Sequence, residues 1–132
     1  MPIPISWNDA NSLCQSLIHG GELASVHDNG TNYAVGNITG QQGHTIPRGY
    51  GFWLGGYKEN GTWLWSDKSQ WHYHNWGSGE PEKDGNYLHY DGGLFQDLFG
   101  QWSAQSWSTW SFGAFCQYKG KEIKIIAIIQ NS

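Results

Sequence analysis

The sequence predicts a mixed α+β fold with a long loop region. Its 132 residues suit a single domain, residues 1–132, and are enough to bury one core. The chain contains 9 Trp, 7 Tyr and 19 Gly but few charged residues, a composition typical of a loop-rich aromatic fold and not of a helical bundle. Short apolar runs separated by turn signals predict strands, whereas only two segments show a helical pattern.

The clearest strand pattern lies in the middle of the chain. Residues 52–54, Phe-Trp-Leu, form an apolar run that a pair of glycines closes. Asn60-Gly61 predicts a tight turn, because both residues tolerate a positive φ. Trp63 and Trp65 then alternate with smaller residues and share one face of a second strand. Further strands are expected at residues 22–26, 85–90, 112–118 and 121–129.

Two helices are predicted before these strands. Ser6 with Asp9 resembles a capping box, with Asp in place of the usual Glu or Gln. Apolar residues from Ala10 to Leu17 follow the i, i+3, i+4, i+7 pattern of an amphipathic helix, which Gly20-Gly21 should end. A weaker helical pattern covers residues 31–38 and includes a glycine.

Charge and motif content exclude several classes of function. The net charge of −4 and the lack of a Lys/Arg run argue against nucleic-acid binding. No apolar stretch is long enough to insert across a bilayer, and no basic-then-apolar segment follows Met1, so we expect a mature form. No nucleophile elbow, phosphate-binding glycine loop or zinc-protease pattern is present, so an enzyme is not expected.

Three blocks of residues carry a family resemblance: Trp53-Leu54-Gly55-Gly56, Gly61-x-Trp63-x-Trp65-Ser66-Asp67 and Tyr73-x-Asn75-Trp76-x-x-Gly79-Glu80-Pro81. Together they resemble the C-type lectin-like domain. The resemblance implies two helices, two small antiparallel sheets and a long ligand-binding loop. It also implies an extracellular binding module whose partner is a glycan.

The resemblance also implies a disulfide. Cys14 and Cys116 lie near opposite ends of the chain and have no metal-type spacing. In the resembled family, cysteines at these places are bonded to each other; the alternative is two free buried thiols in a cytosolic protein. Three Asn-x-Ser/Thr triplets, at Asn29, Asn37 and Asn60, add modestly to the extracellular interpretation and to that of a glycoprotein.

Glu80-Pro81-Glu82 stands where sugar-binding members have Glu-Pro-Asn or Gln-Pro-Asp. Calcium takes about six to eight oxygen ligands, and sugar hydroxyls complete that shell in such lectins. The resemblance therefore implies a calcium site, and its candidate ligands are Glu80, Glu82, Asn86 and Asp97, with Asp84 as a substitute. Further candidate ligand-binding residues are Pro81, Gln96 and Trp102. The alternative for this tripeptide is a solvated acidic turn.

The family's Trp-Asn-Asp motif, which supplies two calcium ligands, is degenerate here. Residues 100–104 fit the distance to Cys116 better but offer no carboxylate. Residues 93–97 keep an amide and an acid, but need extra residues before Cys116. Both counterparts remain open. If Asp97 lies beside Glu80, calcium-dependent glycan binding is favoured; if it is remote, calcium-independent recognition of a protein or another surface is favoured.

Other polar and aromatic residues have more than one interpretation. His72 and His74 alternate along the chain and could bind a transition metal, but two ligands without a third favour solvated histidines. Trp53, Trp63 and Trp65 are predicted to be core residues. Trp102, Trp107 and Trp110 are either core residues or stack on a sugar ring.

The chain departs from the family in two further ways. The second disulfide that usually braces the long loop is missing, with Tyr87 and Trp107 near the places of its cysteines, so aromatic packing is expected to substitute. The apolar tail, residues 121–129, extends beyond the last cysteine. We predict that it pairs as a hairpin with residues 112–118, where the family places its first strand. The alternative is a homodimer in which the tail pairs with a second copy.

Overall fold

The computed structural model describes residues 5–41, 51–91, 100–106, 111, 113–119 and 123–128. Within these ranges the chain forms two helices and seven strands, so the predicted α+β class is confirmed. The elements in chain order are α1 (Trp7–Leu17), β1 (Glu22–Leu23), α2 (Asn29–Gln41), β2 (Phe52–Glu59), β3 (Thr62–Trp65), β4 (Tyr87–Asp91), β5 (Gln101–Gln105), β6 (Gly113–Lys119) and β7 (Ile123–Ile128). In the ranges that can be described, neither helix is long and apolar enough to cross a membrane.

The sheet is built around β2. The strand order is β1-β6-β2-β4-β5, with β3 beside β2 and β7 beside β6. The start of β2 lies between β4 and β6, and its end pairs with β3. The β2–β6 pairing is parallel, whereas the other described strand pairs are antiparallel. The two small antiparallel sheets expected from the sequence thus meet through this parallel contact and form one mixed sheet.

Both helices begin with the side-chain caps that short polar residues provide. Ser6 caps α1, since its Oγ accepts the N–H of Asp9 at 3.2 Å. Asp28 caps α2 in the same way, accepting the N–H of Thr31 at 2.7 Å. The first helix ends at Leu17, ahead of the predicted Gly20-Gly21. The second runs from Asn29 to Gln41 and is longer than the predicted range 31–38.

The predicted disulfide between Cys14 and Cys116 is confirmed, and it ties α1 to β6. Its two cysteines are fully buried and are 102 residues apart in sequence. A cross-link that closes a loop of this size removes entropy from the unfolded chain and stabilises by about 4–5 kcal/mol on the chain-entropy model. Trp53 packs in the same cluster, and its indole N–H donates to the carbonyl of Ile5 at 2.9 Å.

The second core cluster lies on the other side of β2 and contains most of the large aromatic residues. Trp65 is fully buried there, as is Trp53 in the disulfide cluster, which confirms both predictions. Trp63 is only partly buried and packs against this cluster from the surface. Tyr87, near the place of a missing family cysteine, stacks on Trp7 with ring centroids 5.0 Å apart. Trp107, near the other place, lies outside the described residues.

The tail folds back as predicted. β7 pairs antiparallel with β6 over six residues, from Ala114↔Ile128 to Lys119↔Ile123. Ala127 is buried in the aromatic core, and Ile126 and Ile128 pack against the disulfide cluster. The tail is therefore a strand of this chain's own sheet, and a tail-mediated homodimer is not needed to cover β6.

Removing everything after Gly120 should severely destabilise the domain. The deletion uncovers β6 and removes the side chains that β7 buries, so we expect a loss of several kcal/mol and a drop in Tm on the order of 10 °C or more. Ile123→Thr is the matched control, because Ile123 is 60% exposed and should tolerate the change. Thermal unfolding of both variants tests this, and a deletion with an unchanged Tm would contradict it.

A partly buried carboxylate, Asp67, joins three segments of the fold. It accepts hydrogen bonds from Ser25 Oγ at 2.5 Å, from Gln117 Nε2 at 2.8 Å and from the N–H of Ser69 at 2.9 Å. Burial raises the pKa of Asp67, but the hydrogen bonds from Ser25, Ser69 and Gln117 lower it, and the net pKa is below the ordinary value of 3.8. The ionised form therefore stabilises the contact between the β1–α2 connection and β6.

The stability of the domain should fall in acid in a way that depends on Asp67. Its folded-state pKa is lowered, so its contribution is present above the unfolded value of 3.8 and is lost as the pH falls through the folded value. Urea unfolding at pH 7 and at about pH 3 should show a flatter pH dependence for Asp67→Asn than for the wild type. Asp9→Asn, at an exposed site on α1, is the control, and equal pH dependence in all three proteins would refute the prediction.

Candidate ligand-binding loop

Residues 77–86, named the ligand loop here, connect the aromatic segment after β3 to β4, and backbone hydrogen bonds fix both of their ends. The N–H of Gly77 donates to the carbonyl of Trp102 at 2.9 Å, and the N–H of Asn86 donates to that of Gln105 at 2.9 Å. On the other side, the N–H of Lys58 donates to the carbonyl of Asn86 at 2.8 Å. The loop is thus held between β5 and the end of β2.

Glu80 attaches the middle of the ligand loop to the same strand. Its Oε1 accepts the N–H of Ala104 at 2.8 Å and the N–H of Glu82 at 3.1 Å. The peptide bond between Glu80 and Pro81 is cis. Bonds from backbone N–H groups to a carboxylate are charge-assisted and stronger than neutral ones. Glu80 therefore acts on the protein itself, as an acceptor that holds the loop against β5.

The rest of the ligand loop faces solvent. The exposed residues here are Pro81, Glu82, Lys83, Asp84 and Asn86. The carbonyl of Lys83 accepts a hydrogen bond from the Lys58 ammonium at 2.7 Å. Gly85 is the buried exception: a Cβ there would lie 2.4–2.7 Å from atoms of Ala104. The close approach requires glycine at that point, and it brings the loop backbone directly onto β5. The outcome is a polar surface with a fixed backbone.

The structure places one of the two counterparts of the family's Trp-Asn-Asp motif beside Glu80. Trp102-Ser103-Ala104 lies on β5, and Ala104 is the residue that Glu80 binds. Ala104 has no side-chain oxygen, and the Ser103 hydroxyl donates to Asp91 at 3.2 Å instead. Gln96 and Asp97, in the other counterpart, lie outside the described residues.

For the second counterpart, the structure describes the residues on its two sides, Asp91 and Gly100. The N–H of Gly100 donates to the carbonyl of Asp91 at 3.2 Å, so these two flanking residues meet at this end of the β4–β5 pair. Ala104 lies three residues along β5 from Gln101, or about 10 Å at the usual rise per residue. Gly100, the flanking residue before β5, therefore lies at the end of the strand away from Ala104.

Calcium requires about six to eight oxygen ligands, and the donors described here do not supply them. One oxygen of Glu80 already accepts two backbone N–H groups, and Ala104 offers no ligand. Among the residues that can be described, no three Asp, Glu, His or Cys side chains come together as a metal site would need. Glu82 and Asn86 are near Glu80 in sequence, but this set alone does not fit a calcium ion.

Trp102 was a candidate for ligand contact, and the structure corrects this interpretation. Its side chain is 0% exposed, and its indole N–H donates to Asn32 Oδ1 at 2.9 Å. The rings of Trp65 and Tyr73 meet it edge-on, with centroids 5.7 and 5.5 Å away. A ring enclosed in this way is a core residue and cannot stack on a sugar.

The two histidines of the aromatic segment do not form a metal site with other described residues. His72 and His74 lie outside the described strands, so their alternation along the chain does not place them on one strand face. His72 instead stacks on His27, with ring centroids 5.4 Å apart. Burial lowers the pKa of His27 and outweighs the opposing effect of Asp67, so its ring favours the neutral form.

A Ser-His-Asp arrangement occurs away from the ligand loop. His89 lies 3.0 Å from Asp91 through Nδ1 and 3.0 Å from Ser111 through Nε2. However, Ser111 is only 2% exposed, and its hydroxyl donates to the carbonyl of Gly51. A hydroxyl that is enclosed and already bonded cannot reach a substrate, so this network connects the start of β2 to the end of β4.

Two contacts of the ligand loop were not predicted from the sequence. Ala104 contributes only its backbone N–H, and backbone groups carry no residue-type signal. Lys58 was not a candidate, although its side chain supports the loop at Lys83. Lys58 lies two residues before the Asn60-Gly61 turn, near the end of β2. Because β2 is a central strand, the end of its hairpin lies beside the segments that pair with β2. The position of Lys58 is therefore a weak signal for a contact with the loop.

The structure has two capped helices, a disulfide from α1 to β6 and a long loop held on β5. This arrangement can be compared with known proteins. The family model described as the lectin C-type domain matches residues 3–119. The chain belongs to the C-type lectin family. This family is a class of binding domains, and its members generally bind calcium.

Individual relatives agree with the family. A lectin from Pleurodeles waltl is 36% identical over 88 residues, which are 64% of this chain and 49% of that protein. The galactose-specific lectin nattectin of Thalassophryne nattereri is 31% identical over 85 residues, 60% of this chain and 48% of that protein. The chain spans about half the length of the curated relatives it matches. Human lithostathine has the same fold, with a TM-score of 0.74 and 23% identity over 90% of this chain and 80% of that one.

Replacing Glu80 should loosen the ligand loop, whereas the same change at Glu82 should not. Glu80→Ala removes a charge-assisted acceptor from the N–H of Ala104, and we expect a loss of about 1–2 kcal/mol in unfolding free energy. Hydrogen exchange at the Ala104 amide should become faster in this variant. Glu82→Ala, at an exposed residue of the same loop, is the control. Equal exchange in the two variants would show that Glu80 does not hold the loop.

Proposed function

We propose that this C-type lectin domain is an extracellular carbohydrate-binding module and that the ligand loop is its binding surface. The observation that carries the proposal is the attachment of the loop to β5 through Glu80 and through both loop ends. A surface whose backbone is fixed before binding loses less conformational entropy when a ligand arrives. The exposed polar side chains of the loop are thus presented in a defined geometry.

The exposed residues have the chemistry that sugar hydroxyls require. Each hydroxyl is both a donor and an acceptor, and the Glu82 and Asp84 carboxylates accept while the Asn86 amide both donates and accepts. The names of the relatives support the ligand class: nattectin is named galactose-specific, and a relative from Oxyuranus scutellatus is named a mannose-binding isoform. From these names we infer the class of ligand, a carbohydrate, and not which sugar is bound.

The extracellular location is part of the proposal. The disulfide between Cys14 and Cys116 supports it, because structural disulfides persist in oxidising compartments and are rare in the cytosol. A glycan ligand fits this location, since cell-surface and secreted glycans are the carbohydrates that such a module meets.

The calcium-dependent form of the function, with Glu80, Glu82, Asn86 and Asp97 as ligands, stays a prediction. A specific observation favours the other form: the loop is already held by the bond from the Ala104 N–H to Glu80, and Ala104 has no side-chain oxygen to offer a metal. We therefore propose that the loop keeps its shape and its ligand without calcium. Recognition of a protein or another surface by the same loop is the second candidate.

Binding to a glycan array should survive a chelator and depend on the exposed loop residues. We expect the same ligands to be bound in calcium and in chelator, and the double variant Glu82→Gln/Asn86→Ala to lose about tenfold or more in affinity, since each 1.4 kcal/mol is a factor of ten. Asp9→Asn/Gln15→Ala, matched in chemistry on α1, should bind like the wild type.

Other outcomes of this experiment separate the alternatives. Loss of binding in chelator, restored by calcium and abolished in Asp97→Asn, would replace the proposed form with the calcium-dependent one. No glycan binding under either condition would overturn the carbohydrate assignment and favour the protein-recognition candidate.

A further inference from the structure

We propose that Asn60 is an N-glycosylation site and that its glycan borders the ligand loop. Asn60, Gly61 and Thr62 form an Asn-x-Thr acceptor triplet at the turn between β2 and β3, and all three residues are exposed. Asn60 and Gly61 both have a positive φ, of 51° and 79°, so the turn projects as the tip of the hairpin. Asn60 is exposed, and its side-chain amide makes no hydrogen bond with any residue that the structure describes.

The other acceptor triplets differ from this one. Asn29 lies in the first turn of α2, and its side-chain carbonyl accepts the Tyr73 hydroxyl at 2.7 Å. The N–H of Thr31, the hydroxyl residue of that triplet, is held by the cap at Asp28. The side chain of Asn37 lies outside the described residues. Of the two triplets that can be compared, the one at Asn60 is the exposed turn.

The modification is a glycosyl transfer to the side-chain amide. The Asn60 nitrogen attacks the anomeric carbon of a lipid-linked oligosaccharyl diphosphate, forming a C–N bond and losing a proton to a base of the transferase. The C–O bond to the diphosphate breaks, and the lipid diphosphate leaves with its electron pair. No oxidant or reductant is needed, and the donor belongs to the secretory pathway that the proposed extracellular location implies.

The place of Asn60 beside the ligand loop follows from Lys58, two residues earlier on β2. The Lys58 N–H donates to the carbonyl of Asn86, and its ammonium donates to the carbonyl of Lys83. Two residues of extended strand span about 7 Å, which an N-linked oligosaccharide exceeds. A glycan on Asn60 therefore flanks the Lys83–Asn86 side of the loop and limits the size of a ligand that approaches from the hairpin. This second half of the proposal rests on the function proposed above.

The test uses the full chain secreted from a eukaryotic cell line, with variants that do not disturb the turn. Thr62→Ala removes the acceptor triplet but keeps Asn60, which tolerates the positive φ, while Thr62→Ser keeps the triplet and is the matched control. Asn60→Gly is a second variant that removes the acceptor and keeps the turn geometry. Glycopeptide mass spectrometry should find a glycan on Asn60 in the wild type and in Thr62→Ser only. An unmodified Asn60 in the secreted wild type would overturn the proposal.

Ligand binding tests the position of the glycan separately. On the same glycan array, Thr62→Ala should bind large, branched glycans about threefold or more tightly than Thr62→Ser, with small glycans unaffected. Equal binding of large glycans by the two variants would overturn the bordering position while the modification itself stands. If neither variant binds any glycan, the proposed function fails, and occupancy at Asn60 is still decided by the mass spectra.

Discussion

The hydrogen bond from the Ala104 N–H to the Glu80 carboxylate is the contact on which the proposed site depends. It joins the middle of the ligand loop to β5, and the backbone bonds of Gly77 and Asn86 join its ends to the same strand. With three attachments to one strand, the loop has little freedom to rearrange. The partner in this bond, Ala104, offers no side-chain oxygen, so the contact orders the loop without adding a ligand for calcium.

The rigidity of β5 itself comes from the aromatic core. Trp102 is enclosed by other rings, and its backbone bonds both Asn75 and Gly77, so the strand and the aromatic segment before the loop are fixed together. On the opposite side of β2, the disulfide and β7 hold β6 in place. A binding surface on loops needs such a scaffold, because the precision of the loop cannot exceed that of the elements beneath it.

Local signals in the sequence predicted those elements of the fold whose conformation depends on neighbouring residues. Three features were predicted in this way: the Ser6 cap, the Asn60-Gly61 turn and the apolar tail. In each, the backbone conformation is favoured by the residues at that place and does not depend on a distant residue. The resemblance to the family predicted that Cys14 is bonded to Cys116, and the structure confirmed this disulfide. The candidate site was predicted in part: Glu80 is at the loop contact, but its partner is a backbone N–H, and Trp102 proved to be core.

The sequence by itself determined which residues occupy the loop and the class of the fold. Only the tertiary structure decided that the backbone of Ala104 meets Glu80, because a backbone N–H leaves no residue-type signal in the sequence. It also decided the joining of the sheets through β2 and β6, since a parallel contact between residues 61 positions apart, such as Phe52 and Gly113, leaves no local pattern. Register and burial are properties of the assembled chain, so they become visible only when the strands have met.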